Sequence, residues 1–394
     1  MLTADPSELK VIRHFFDELS YAYMCQRIVP RIEVEIFPDF ASLQGTFKSL
    51  YPIYRLLFSL FWQGHAADDA VLRQAFPPEV FTAMTRTGLL VQDSRKHWRT
   101  PSMALIPFEG LYLAVSLPSD YPTGSAKKQA ISLGRQAVWL AKGLPASLAG
   151  LRVLDVCAGS GMQGLVCAAR GATQVVGLEA SSEAVAAARF NAALNGFSDR
   201  VEIRQSSGYS GLNDDEKFDF IVSSIPFAPN FADTDTSADR IDPFDGSRLL
   251  CDFFEGLPLY LDANGSGAIL CYALGGQYSI DFNQNLLLGL TKKHGLCAYA
   301  YVTDKVAMPD YINSTLEHHL QQIRPDLSEQ ERQQRMAAWC DNLRQQDGSA
   351  DFIYEQMIRF WNGRSEIGVR HMPIYNPLIT DPLVKRTTVS MLRA

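Results

Sequence analysis

Between Leu151 and Glu179 the chain reads LRVLDVCAGSGMQGLVCAARGATQVVGLE, residue types suited to holding a nucleoside. Gly159 and Gly161 have no Cβ, so backbone can approach a ligand closely. Glu179, about twenty residues on, can accept hydrogen bonds from both hydroxyls of a ribose. Each such charge-assisted bond contributes about 1.5–3 kcal/mol. The elements that must position these groups are legible around them. Leu151, Val153, Leu154 and Val156 predict a strand, Asp155 to Gly161 a sharp turn, Met162 to Arg170 a helix, and Val175 to Leu178 a second strand ended by Glu179.

Gly159, Gly161 and Gly164 also satisfy the G-x-G-x-x-G spacing of a dinucleotide loop, so spacing alone leaves a nicotinamide ligand, or a mere packing role, open. Leu154-Asp155-Val156 followed by Ala158-Gly159-Ser160-Gly161 resembles the first motif of class I S-adenosylmethionine (SAM) methyltransferases. The resemblance implies that SAM lies over the loop, with Asp155, Ala158, Gly159, Ser160, Gly161, Glu179 and Ala180 around it. Family members often carry an acid for the adenine amino group where this chain has Ser207, and Asp214 is a neighbour that could substitute. The implied fold is α/β and Rossmann-like, a seven-stranded mostly parallel sheet.

A second resemblance lies at Phe220-Ile221-Val222-Ser223-Ser224-Ile225-Pro226-Phe227. It is similar to the Asn-Pro-Pro-Tyr motif of methyltransferases acting on amine or amide nitrogen, and Asp245-Gly246 with Leu249-Leu250 follow as in the glutamine and small-molecule branch. Ser224 stands for the Asn that orients the target nitrogen, and Ile225 for the first Pro; Pro226 and Phe227 are kept. A hydroxyl still accepts one hydrogen bond, with shorter reach. Ser223 is counted with the SAM-binding residues, and Ser224, Pro226, Phe227 and Tyr121 with the catalytic ones. Tyr121 and Thr123 belong to SDYPTGSAKK, a turn-rich joint that in such enzymes commonly passes the methionine end of SAM.

The implied activity is methyl transfer from SAM to a nitrogen or oxygen of a small-molecule acceptor. A rival is cyclisation of SAM itself: long, lidded SAM-fold proteins that make azetidine-2-carboxylate and release methylthioadenosine are also similar, and the altered Ser224-Ile225 pair suits them. A third class is a SAM-binding regulatory module without turnover.

The chain has 394 residues, 47% of them hydrophobic, enough for more than one domain. Its formal charge of −7, without a basic-aromatic run, argues against a nucleic-acid partner. A winged-helix-like order at Asp68 to Arg99 is weighed against the same charge, since PPEVFTAMTRTG carries one base, Arg86. Seven scattered cysteines without a CxxC pair suggest neither disulfides nor zinc, and with no basic leader or long apolar run they predict a cytoplasmic protein off the membrane. Four segments are expected: a helical and winged-helix-like unit over 1–120, a SAM-binding core over 121–303, a helical lid insertion over 304–381 and a closing strand over 382–394. His318 and His319 point about 100° apart on a helix and cannot share a metal from that turn.

If Ser224 orients an attacking nitrogen, Ser224→Ala leaves SAM affinity nearly unchanged and lowers turnover, because orientation is felt in the transition state. Ser224→Asn spares transfer to an external nitrogen but crowds the folded SAM that cyclisation needs. Steady-state rates of both variants, with calorimetry for SAM, check this.

Overall fold

Asp5 accepts hydrogen bonds from the amides of Ser7 and Glu8 at 2.9 and 3.4 Å and so starts the first helix, with Pro6 at its first position. The computed structural model describes residues 2–29, 40–117, 133–225, 245–276, 289, 291–311, 320, 326–347, 351–363 and 367–371. Contacts divide the chain into two compact units, Met1–Asn213 and Asp214–Ala394.

In the first unit, α1 (Pro6–Glu18) buries Leu9, Ile12, Phe15 and Phe16, the stripe its sequence period predicts. α2 (Tyr21–Ile28), α3 (Phe40–Lys48) and α4 (Pro52–Phe61) follow. Phe16 packs with the rings of Tyr21 and Phe61, centroids 4.8 and 5.0 Å away. α5 (Asp69–Ala75), α6 (Pro78–Arg86) and the short hairpin of β1 (Val91–Gln92) and β2 (Trp98–Arg99) come in the order read from the sequence. A second hairpin, β3 (Met103–Phe108) and β4 (Leu111–Ser116), was not evident there. All its strand residues are buried, so no alternation marks it.

The first unit continues with α7 (Arg135–Gly143), β5 (Arg152–Val156), α8 (Met162–Ala169), β6 (Gln174–Glu179), α9 (Ser182–Leu194) and β7 (Val201–Gln205). β5, β6 and β7 are neighbours in that order and parallel, with Val153 opposite Val175 and Val175 opposite Val201. Parallel strands joined by helices need both faces covered, and the strands are accordingly apolar.

The second unit holds β8 (Phe218–Ser224), α10 (Asp245–Tyr260), β9 (Leu261–Gly275), β10 (Leu296–Ala307), α11 (Met308–Tyr311), α12 (Glu329–Asp347), β11 (Phe352–Asn362) and β12 (Ile367–His371). Its strands run in the order β8-β9-β11-β10-β12. β8 and β9 are parallel, β11 is antiparallel to both its neighbours, and β12 is parallel to β10. Parallel strands with crossover helices give the α/β, Rossmann-like fold that the sequence implied.

One expectation is corrected. Within 304–381, expected as a helical lid insertion, Phe352, Tyr354, Phe360 and Trp361 lie instead on β11, a strand antiparallel to β9 and to β10. Ile353 to Ile358 are buried without a break, so the segment has no period-two signature. Residues 387–392, His318, His319 and Arg364 lie outside the described residues. Arg370 and His371 stand on β12. No helix among the described residues is long and apolar enough to cross a membrane.

Gly267 of β9 is where the second unit is tightest, since a Cβ there would collide with the Ile221 carbonyl and the Phe360 ring. Phe360 is itself held against Phe253 and Phe254, centroids 5.8 and 5.9 Å away, and cannot yield. Gly267→Ala should therefore destabilise the protein by about 1–3 kcal/mol, read as a lower urea midpoint at unchanged slope.

Candidate functional site

The turn from β5 to α8 is the most strained backbone of the first unit's sheet. Cys157, Gly159 and Gly161 all have positive φ, at 60°, 54° and 78°. Hydrogen bonds to the end of β6 hold it there. The Ala158 amide donates to the Leu178 carbonyl at 2.9 Å, and the Gly159 amide to Glu179 Oε2 at 2.9 Å. Glu179 Oε1 accepts the Ser181 amide at 2.8 Å, which ties the same carboxylate to the start of α9.

The glycines divide by role. Around Gly159 no atom of the described residues lies within 4 Å of where a Cβ would be, so the loop presents bare backbone there. At Gly161 a Cβ would press on Ala188 of α9 at 3.2 Å, and at Gly164 on Val175 at 3.0 Å and Asp155 Oδ2 at 3.2 Å. The first leaves room beside the loop; the other two admit neighbouring elements.

Asp155 sits beneath this loop. It is fully buried, its Oδ2 accepts the Gly164 amide at 2.8 Å, and its Oδ1 has no hydrogen-bond partner among the described residues. Burial pushes its carboxyl up to about 7, opposed by the Gly164 bond and reinforced by the nearby Glu179 charge. Ala158 and Ser160 are buried and Ala180 is exposed, its carbonyl accepting from Gln205 Nε2 at 3.2 Å. The Ser207 side chain is exposed, and buried Ser206 holds the turn by accepting the Gly211 amide at 2.8 Å and donating to the Gly208 carbonyl at 2.8 Å. Asp155, Ala158, Gly159, Ser160, Gly161 and Glu179 are thus gathered at one loop, with Ala180 and Ser207 at the ends of the adjoining strands.

The second unit carries Ser223 and Ser224. Ser223 is wholly buried and Ser224, opposite Leu270, is partly exposed at the end of β8. Ile225 explains one departure from the Asn-Pro-Pro-Tyr pattern: its amide donates to the Leu270 carbonyl at 3.1 Å, a bond that proline cannot make. Tyr121, Pro226 and Phe227 lie outside the described residues.

In the first unit, parallel strands with the glycine loop before α8 make a Rossmann-like arrangement. Residues 133–242 match the family model of the methyltransferase small domain. The chain is 30% identical over 134 residues to a provisionally named protein N5-glutamine methyltransferase of Methanocaldococcus jannaschii, covering 32% of this chain and 64% of the relative. It is 40% identical over 75 residues to the ribosomal protein L11 methyltransferase of Lactobacillus johnsonii, covering 19% of this chain and 23% of the relative. The chain thus spans less than two thirds of either relative's length. Among solved structures, the YcgJ protein of Bacillus subtilis aligns with 58% of this chain and 98% of its own, at a TM-score of 0.37 and 15% identity.

Asn191, which donates to the Ser160 carbonyl of the loop at 2.9 Å, and its neighbour Asn195 escaped the motif reading. Asn191 and Asn195 are four apart in the alanine-rich AAARFNAALNG, and two amides at that spacing, on the last turn and C-cap of the helix, were the available signal.

The raised Asp155 pKa has a consequence for stability. An acid whose pKa is higher folded than unfolded stabilises the fold fully below its unfolded value, here 3.8, and that contribution is lost as pH rises through about 7. Asp155→Asn keeps an acceptor for Gly164 and has no proton to lose. Its stability relative to the parent should climb from pH 4 to pH 7, as measured by urea melts across about that range.

Proposed function

We propose that the chain binds SAM over the Gly159 loop and directs its methyl group to an acceptor nitrogen. The observation that carries this reading is the bare, positive-φ Gly159 backbone beside the Glu179 carboxylate. A carboxylate has about four acceptor sites, and two of Glu179's are used by the Gly159 and Ser181 amides. The remaining two suit a ribose diol. SAM, when bound, supplies an electrophilic methyl on a sulfonium. The protein's own work is to hold and orient, for which effective molarity contributes on the order of 7–11 kcal/mol.

The acceptor follows from weaker support. The names of both relatives concern methyl transfer to proteins, and the Ser224 loop resembles the nitrogen-directing motif. A small-molecule amine or amide remains the choice for this chain, with a protein side-chain nitrogen as the competing acceptor class. The resemblance gives Ser224 the part of accepting from the attacking nitrogen and counts Pro226, Phe227 and Tyr121 with it as catalytic residues.

Incubating the protein with SAM alone and weighing the products separates this from cyclisation. No change until an acceptor is added fits transfer, whereas methylthioadenosine with a cyclic amino acid replaces it. The binding half is checked by Glu179→Ala, which removes two ribose bonds and the anchor of the Gly159 amide together. SAM affinity should fall by about 2–4 kcal/mol in calorimetry. Unchanged affinity in a folded variant takes Glu179 out of the site.

A further inference from the structure

The outer edge of β4 is satisfied by side chains instead of by a third strand. β4 pairs with β3 so that Tyr112 stands opposite Pro107 and Ala114 opposite Leu105. Its Tyr112 and Ala114 amides and carbonyls turn away from β3, and α9 receives them. Asn195 Oδ1 accepts the Tyr112 amide at 2.9 Å, and its Nδ2 donates to the Tyr112 carbonyl at 2.8 Å. Asn191 repeats the pattern one turn earlier, accepting the Ala114 amide at 2.7 Å and donating to the Ala114 carbonyl at 3.1 Å. The match is metric: four residues of helix rise about 6 Å, and two residues of strand advance about 6.7 Å.

The two rungs differ in one respect. The second hydrogen of Asn191 Nδ2 goes to the Ser160 carbonyl at 2.9 Å, inside the glycine loop. Asn195 Nδ2 turns its second hydrogen back to the Asn191 carbonyl at 2.8 Å, and its Oδ1 also accepts Arg13 Nη1 at 2.8 Å. Asn191 is wholly buried, so both its donors are committed where water cannot replace a lost partner. Ala188, one turn before it, meets Gly161 across the same contact.

We propose that Asn191 is a positioning residue that fixes the Ser160 side of the glycine loop to β4, making the amino-terminal hairpin part of the SAM-binding apparatus. The inference rests on the SAM reading of that loop for its functional consequence, but not for its mechanics. Loop and hairpin are held by one carboxamide, so order in either is felt in the other.

The test compares the rungs. Asn195→Ala removes the same chemistry from the same strand without touching the loop. Amide-resolved hydrogen exchange on ligand-free protein should show Gly159 and Gly161 exchanging about tenfold faster in Asn191→Ala, and unchanged in Asn195→Ala, while both variants speed exchange in β4. SAM affinity by calorimetry should fall about tenfold in the first variant alone. Asn191→Ser, which leaves a smaller gap, serves if the alanine variant does not fold. In the parent, SAM should slow exchange at the Ala114 amide more than at Tyr112. Equal loop exchange in the two variants, or a loop unaltered by loss of Asn191, overturns the proposal. A parent that binds no SAM, with loop exchange still split between the variants, retires the SAM reading and keeps the coupling.

Discussion

The bond from the Gly159 amide to the Glu179 carboxylate is the constraint on which the candidate site depends. It joins the turn after one strand to the last residue of its neighbour. That geometry requires β5 and β6 to be parallel and in register, and it requires the turn to be sharp enough for three left-handed residues. The same carboxylate holds the start of α9 through Ser181. A single anion thus organises loop, strand end and helix start. Asp155 lies deeper and acts differently: buried, and with no partner for Oδ1 among the described residues, its carboxyl holds its proton to higher pH than usual.

Much of this was legible from the chain alone. The unit from β5 to Glu179 combined apolar runs, small residues and an acid at intervals that few structures other than a nucleoside-binding turn require. Helices α1 and α9 were marked by stripe and cap. What escaped reading shares one physical cause. β3, β4 and β11 are buried on both faces, so alternation is erased and their residues read as generic apolar sequence. Asn191 and Asn195 are local in the chain but have meaning only against β4, some eighty residues earlier, a distance no periodicity conveys.

α9 illustrates how composition serves two masters. Its alanines keep the helix close to Gly161, where a larger side chain at Ala188 would push the loop aside. Close approach in turn lets short asparagine side chains span to β4, which longer amides would overshoot. An exposed strand edge is a liability for aggregation, and covering it with a polar rung instead of another strand leaves the hairpin free to be a separate element of the unit.

β11 bears on how the protein is made. β9 and β10 do not pair with each other in the finished fold; β11 lies between them, and it leaves the ribosome only after α11 and α12. Until residue 362 has emerged, each of the two older strands has a long edge with nothing to bind, one of fifteen residues and one of twelve. Nascent chains stalled in residues 308–351 therefore expose two ready templates for pairing with other chains, and synthesis speed through that stretch sets how long the hazard lasts.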